Sequence, residues 1–206
     1  MPSSKYLARD AVRIVVDQLR KPDRRPLSIL EIGPGTGTFT ERILPDLRLG
    51  DRFDVVELNS YFYHLLKDRF RSNGAFRLHH QDFVSFNPGR KYDFLLSSLP
   101  YETIPAPVTR RLWKQKLRLC RPGSYIIYYK YVNFNLFRSR YEQGLVKNCL
   151  LDEKVVLLNF PPARLLTLRV DDPEKRLRTV PARTNQPLRQ LRVNGQRALY
   201  TLKKQL

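Results

Sequence analysis

Three features, in a fixed order, could do chemistry in this chain. The first is the run Glu31-Ile32-Gly33-Pro34-Gly35-Thr36-Gly37. Glycines at Gly33, Gly35 and Gly37 let the backbone come close to a ligand, and a helix starting behind them would offer unpaired N–H groups. The second is Glu57, about 20 residues beyond Gly37, where a carboxylate can accept hydrogen bonds from both hydroxyls of a ribose. The third is Asp82, which can accept a hydrogen bond from the amino group of an adenine. Leu58 and Phe83 stand next in the sequence to the two acids, and Ser97, at the end of the later run Tyr92 to Ser97, completes the candidate binding set. A glycine-rich loop alone serves nucleotide-binding proteins of several kinds, but the two acids behind it narrow the ligand to one that carries an adenosyl group.

Such residues work only if strand ends hold them along one edge of a sheet. Leu27 to Ile32 reads as a buried strand running into the glycine loop, and Thr38 to Leu44 reads as a short helix stopped by Pro45. Phe53 to Glu57, Phe76 to His80 and Tyr92 to Ser97 read as further strands, with a helix over Tyr61 to Arg71 between the first two. Pro107 to Leu119 is a basic helix carrying Trp113, and Ser124 to Tyr131 is a fifth strand beyond Arg121-Pro122-Gly123. An irregular helical stretch follows around Leu136 to Val146. Lys154 to Phe160 and Arg164 to Val170, separated by Pro161-Pro162, then suggest a closing antiparallel pair. Strands alternating with helices predict an α/β, Rossmann-like fold with a mostly parallel seven-stranded sheet covered on both faces.

Ahead of the sheet, Ser3 or Ser4 can cap a helix reaching about Lys21, with Leu7, Ala11, Ile14 and Val15 on one side and Lys5, Arg9, Arg13 and Arg20 on the other. This segment admits two readings: a helix covering the edge of the core, or a basic amphipathic helix lying on a lipid surface. The expected organisation is a basic N-terminal helix over 1–25, a ligand-binding domain over 26–170 and a basic extension over 171–206.

With 38 Lys and Arg against 19 Asp and Glu, the 206-residue chain carries a formal charge of +19. Such an excess calls for a polyanionic counterpart, either nucleic acid or an anionic membrane surface. Cys120 and Cys149 sit among apolar residues and read as small core hydrophobes, not as a disulfide framework. Charges interrupt the chain from Lys5 to Arg25, which leaves no apolar signal core there and predicts a cytoplasmic protein. No apolar run reaches the roughly 20 residues needed to span a bilayer, so any membrane contact would be peripheral, at the inner face.

Glu31 to Gly37, Glu57, Gln81-Asp82-Phe83 and Ser97-Ser98-Leu99-Pro100-Tyr101 resemble the successive motifs of class I S-adenosylmethionine-dependent methyltransferases, across roughly the first 130 residues. The resemblance implies S-adenosyl-L-methionine as cofactor and requires no metal. Within that class, Ser98-Leu99-Pro100-Tyr101 is similar to the Asn-Leu-Pro-Tyr turn of ribosomal RNA adenine dimethyltransferases, with Ser98 in place of the asparagine. That likeness implies an adenine amino group held at Ser98 and a base stacked on Tyr101.

Three other segments resemble bacterial phospholipid N-methyltransferases. They are Pro2-Ser3-Ser4-Lys5-Tyr6-Leu7-Ala8, Arg121-Pro122-Gly123 with Tyr131 at the end of the following strand, and Asn159-Phe160-Pro161-Pro162-Ala163. This likeness implies a phosphatidylethanolamine acceptor at an anionic membrane surface, its head group surrounded by Tyr6, Tyr101 and Tyr131 beside Ser98. The sequence therefore predicts an S-adenosylmethionine-dependent N-methyltransferase with the phospholipid amine as its first acceptor reading. An RNA or DNA adenine is the alternative, and a non-catalytic binding module on the same fold is the third reading.

Overall fold

The computed structural model describes residues 4–70, 74–132 and 140–178. Helix α1 spans Lys5–Leu19, and its start is fixed by Ser4, whose Oγ accepts from the Leu7 amide at 3.2 Å. Leu7, Ala8, Ala11, Val12, Val15 and Leu19 are all buried in a core cluster shared with Ile29, Phe53 and Phe94. The apolar face of α1 is thus committed to the protein's own interior. Of the two readings of this segment, the packing supports the helix covering the core and not the one with its apolar face on lipid; the charged side, with Lys5, Arg9, Arg13 and Arg20, is open to solvent.

Five parallel strands follow: β1 (Ser28–Ile32), β2 (Arg52–Glu57), β3 (Phe76–His80), β4 (Tyr92–Ser97) and β5 (Cys120–Tyr131). The last two, β6 (Leu150–Val156) and β7 (Ala163–Val170), close the sheet in the order β3-β2-β1-β4-β5-β7-β6, with β7 antiparallel to both neighbours. The helices between strands are α2 (Thr40–Ile43), α3 (Ser60–Arg69), α4 (Ala106–Leu119) and α5 (Arg140–Cys149), and α6 (Pro173–Arg178) follows β7. The chain steps outward from β1 to β3 and then returns to β4, so β1 and β4 are neighbours at the point where the connections change direction. In open α/β sheets this is where the ligand crevice lies.

Alternate residues of each strand feed two cores. Ile29, Val55, Phe94, Leu96 and Ile127 face α1 and α2, while Leu30, Ile32, Leu95, Ile126 and Tyr128 face α4 and α5. The edge away from the crevice is stitched by ion pairs. Asp93 takes both Arg25 at 2.6 Å and Arg121 at 3.1 Å, and Asp51 takes Arg24 at 2.5 Å and the Leu27 amide at 2.9 Å.

Strand boundaries differ from expectation at β5, which begins at Cys120 and not at Ser124, and at both ends of β6. The sixth strand begins at Leu150, directly after α5, and stops at Val156, so 157–160 form a turn. Pro161-Pro162 cannot donate to a ladder. Asn159 turns inward, accepting from the Ser4 amide at 2.9 Å and donating to the Pro161 carbonyl at 2.7 Å. The expected extension over 171–206 contains α6 at its start, and 179–206 lie outside the described residues, as do Met1 to Ser3 and the first part of the Leu136 to Val146 stretch.

Candidate active site

At the end of β1 the backbone must turn sharply, and it does so through glycines in the left-handed region: φ is 65° at Gly33, 58° at Gly35 and 81° at Gly37. Two of these positions are also crowded. A Cβ on Gly33 would lie 2.7 Å from Leu99 Cδ2, and one on Gly37 would lie 2.6 Å from Leu66 Cδ2 and 2.8 Å from Phe70 Cε2. The Gly33 amide donates to the Val56 carbonyl at 2.9 Å, which ties the loop to the end of β2. Behind the loop, α2 has only four residues before a 3-10 turn over Leu44–Asp46. A single turn contributes little macrodipole, so ligand binding here leans on the loop amides and on Glu57.

Glu57 is buried at the tip of β2 and its two oxygens reach across the crevice wall. One accepts from the Gly35 amide at 3.2 Å and the other from the Asn59 amide at 2.8 Å. Asn59 in turn caps α3, its side chain accepting from the Tyr61 amide at 2.9 Å. Glu31 is fully buried on β1 and accepts from the Thr40 hydroxyl at 2.6 Å, but its Oε1 has no hydrogen-bond partner. Burial pushes Glu31 up to about 8 against the hydrogen bond from Thr40, and the nearby Glu57 carboxylate adds to the rise. Glu31 is therefore a neutral carboxyl near neutral pH, with one oxygen unmatched.

The remaining donor-side candidates separate by exposure. Asp82 is exposed past the end of β3, where its Oδ1 accepts from the Val84 amide at 2.9 Å and caps a 3-10 turn. Leu58 is 67% exposed beside Glu57. Phe83 has its side chain buried in the core cluster on the α4 face. Its neighbour Asp82 takes the exposed position at the turn, and the apolar ring goes inward.

Ser97, expected in the cofactor-binding set, ends β4 opposite Ile32, the last residue of β1, and the turn Ser98-Leu99-Pro100-Tyr101, expected to hold the acceptor, starts there. The Ser98 amide donates to the Ile32 carbonyl at 3.0 Å and its side chain is half-buried. Tyr101 departs from expectation. Its ring is 2% exposed, stacked on Trp113 at 6.0 Å and edge-on to Tyr128 at 5.5 Å. Its hydroxyl is 2.6 Å from Ser97 Oγ and accepts from Lys116 Nζ. A ring so enclosed, with Lys116 Nζ already 4.6 Å from its centre, offers no free face to a base or to a cationic ligand.

The three tyrosines are also not brought together. Tyr6 and Tyr131 pack on the α1 side of the sheet, whereas Tyr101 lies in the cluster on the α4 side. The Tyr6 ring already has two cations over it, Lys5 Nζ at 5.3 Å and Arg9 Cζ at 5.9 Å. Tyr131 sits edge-on to Tyr129, and its amide donates to Glu102 Oε1 at 2.7 Å, which joins the end of β5 to the acceptor turn.

Sequence reasoning passed over Thr40, Asn59, Glu102 and Lys116. A signal existed for Lys116 alone: it stands three residues after Trp113 and four after Leu112, inside the apolar stripe of α4, where a lysine is out of place. Among the described residues no group of three His, Cys, Asp or Glu could hold a metal ion, and both cysteines are buried and free.

Residues 10–130 match the family model of ribosomal RNA adenine dimethylase. The chain belongs to that family. Among its relatives, the ribosomal RNA small subunit methyltransferase A of Synechococcus sp. is 33% identical over 95 residues, covering 46% of this chain and 33% of that protein. The chain spans about a third of the length of the curated relatives it matches. In fold it is similar to the N-methyltransferase NodS from Bradyrhizobium japonicum, with a TM-score of 0.62 at 13% identity over 80% of this chain and 97% of that one; NodS is also known in complex with S-adenosyl-L-homocysteine.

The fold is thus the class I methyltransferase fold, and the family's cofactor is S-adenosyl-L-methionine. The residues present fit that group. The left-handed glycines leave a cradle against Leu99, Leu66 and Phe70, and the unmatched Glu31 oxygen suits a ligand bearing positive charge. Among the described residues no helix is long and apolar enough to cross a membrane.

Proposed function

We propose that this chain is an S-adenosylmethionine-dependent N-methyltransferase whose acceptor is the exocyclic amino group of an adenine in RNA. The observation that carries the reading is the contact between the two loops: Gly33, in the donor loop, lies directly against Leu99, in the acceptor turn. A methyl group held by the first loop and an amine held by the second would meet in one crevice, as in-line displacement requires. When bound, the cofactor supplies an electrophilic methyl group on a sulfonium.

The chain's own residues hold and orient. Glu57 accepts the ribose hydroxyls, giving up its bond to Gly35, and Asp82 accepts the adenine amino group of the donor. Leu58 offers apolar surface beside the donor's purine. Glu31 ionises next to the incoming positive charge. Ser98 and the backbone of its turn accept the amine hydrogens and aim the nitrogen lone pair, since the enclosed Tyr101 ring leaves recognition of the acceptor to them. The family match and the formal +19 charge support a polyanionic RNA over a small amine.

A phospholipid amine is the second reading, and one observation favours it. Leu157, Leu158 and Phe160 are 55%, 67% and 83% exposed in the β6–β7 turn, and Val132 is 44% exposed where its amide meets the Pro162 carbonyl. This apolar lip stands at the same sheet edge as the crevice and would suit the boundary of a bilayer. The experiment that decides is incubation of the protein with radiolabelled donor and a total cell extract. Label in the RNA fraction supports the adenine reading, and label in the organic fraction replaces it with the lipid reading.

A further inference from the structure

Lys116 is a buried amine that the binding and alignment of donor and acceptor leave without a task. Its side chain is fully buried, with Nζ 4.0 Å from the centre of the Trp113 ring and 4.6 Å from that of Tyr101. It donates to the Tyr101 hydroxyl, which is 2.6 Å from Ser97 Oγ. Ser97 is the last residue of β4, paired with Ile32, so this chain of three polar groups runs from the interior of α4 to the root of the acceptor turn.

We propose that Lys116 is a positioning residue whose proton sets the direction of the Lys116–Tyr101–Ser97 hydrogen bonds, and through them the state of the acceptor turn. An ammonium has three donors and no acceptor. With Lys116 charged, the Tyr101 oxygen must accept from it and donate onward to Ser97 Oγ, so the Ser97 proton points away from Tyr101. With Lys116 neutral, its lone pair can accept a hydrogen bond from the Tyr101 hydroxyl, the Tyr101 oxygen accepts in turn from the Ser97 hydroxyl, and a Ser97 lone pair is released at the turn. Ser97 is itself fully buried, so this second arrangement acts on the amine through the turn that Ser97 anchors and that carries Ser98. The inference rests on the amine-methylation reading but not on which amine it is.

The surroundings set where the switch lies. Burial opposes the charge on Lys116 most strongly. Glu142 on α5 and Cys120 at the start of β5 favour the charge, and Lys130 on β5 opposes it; the balance brings Lys116 down to about 7. Trp113 and Tyr128 contribute ring faces, with Lys116 Nζ 5.7 Å from the centre of the Tyr128 ring. Lys130 and Glu142 form their own buried pair at 3.1 Å, and Glu102, next to Tyr101, also acts on the phenol.

Trp113 is the only tryptophan in the chain, so its fluorescence reports on Lys116 directly. Titrated between about pH 5.5 and 9, the wild type should show a one-proton transition with a midpoint near 7, and Lys116→Met should abolish it. In Tyr101→Phe, Lys116 still lies against Trp113 and the fluorescence transition should remain. At saturating donor, where the separate effect of Glu31 on donor affinity drops out, the pH dependence of methyl transfer to whichever extract fraction takes label, which in the wild type rises through the same midpoint, should flatten. A flat wild-type fluorescence profile, or a Tyr101→Phe enzyme with the wild-type pH profile for transfer, overturns the inference while leaving the functional reading intact. No label transfer by the wild type to any fraction overturns both.

Discussion

The donor and acceptor sides of the crevice touch at Gly33 and Leu99 but are built in different ways. On the donor side each group is placed by its own backbone: left-handed glycines shape the loop, and Glu57 sits at a strand tip and bonds the amides of Gly35 and Asn59. On the acceptor side Ser97, Tyr101, Lys116, Tyr128, Lys130 and Glu142 come from two strands, two helices and a turn, and are held by burial around an aromatic cluster. The first side depends on local conformation and the second on the assembled core. Damage to the donor side should therefore be seen mainly in ligand affinity, and damage to the acceptor side first in stability.

The sharpest test is to break the buried Lys130–Glu142 pair. Glu142→Leu removes the carboxylate bonded to the buried Lys130 ammonium and is expected to cost about 3–5 kcal/mol in urea unfolding, whereas the double variant with Lys130→Met should recover most of it. If either single variant unfolds like the wild type, the acceptor side is not held by its interior. Next in size, Glu57→Ala should weaken donor binding by about 2–4 kcal/mol, roughly 30- to 1,000-fold by calorimetry, with unfolding changed far less. A stability loss as large as the affinity loss would erase the contrast between the two sides. Gly37→Ala crosses the boundary, because it meets both a left-handed φ of 81° and the side chains of Leu66 and Phe70. About 1–3 kcal/mol of stability should be lost together with donor affinity, read from thermal unfolding with and without donor.

The smallest effect is a pH dependence. Glu31 holds a proton in the folded chain up to about 8, against 4.5 unfolded, so the stability it contributes falls as pH rises from about 4.5 to about 8. A positively charged donor favours the carboxylate. Binding below about pH 8 should therefore release a proton, and affinity should rise by at most about tenfold per pH unit before levelling off. Calorimetry in two buffers of different ionisation heat measures that proton, and Glu31→Gln should remove it. A wild type that releases no proton would show that the unmatched oxygen is not matched by the donor.

Much of the donor side was legible in the sequence. The glycine loop, the acid at the end of the second strand and Asp82 depend on neighbours close along the chain, and the alternation of strands and helices announced the sheet. Local patterns were also enough for the helix over Lys5–Leu19, whose cap and apolar stripe are written in consecutive residues. They could not say what the stripe covers: a core and a lipid surface ask for the same periodicity, and only the packing against Ile29 and Phe53 distinguishes them.

The same limit explains the acceptor side. Whether Tyr101 stacks on a ligand or on Trp113 is decided by which of the two is within reach, and Trp113 is supplied by a helix that follows the turn. Phe83 went inward because a ring next to an exposed capping carboxylate has a core to enter, and Lys116 became special because the residues that desolvate it come from separate elements. Residue types and spacing determined the fold, the donor loop and the class of chemistry, because those follow from backbone conformation and from neighbours along the chain. The state of the acceptor groups was decided by tertiary structure alone, because burial and the company of other charges are properties of the assembled core.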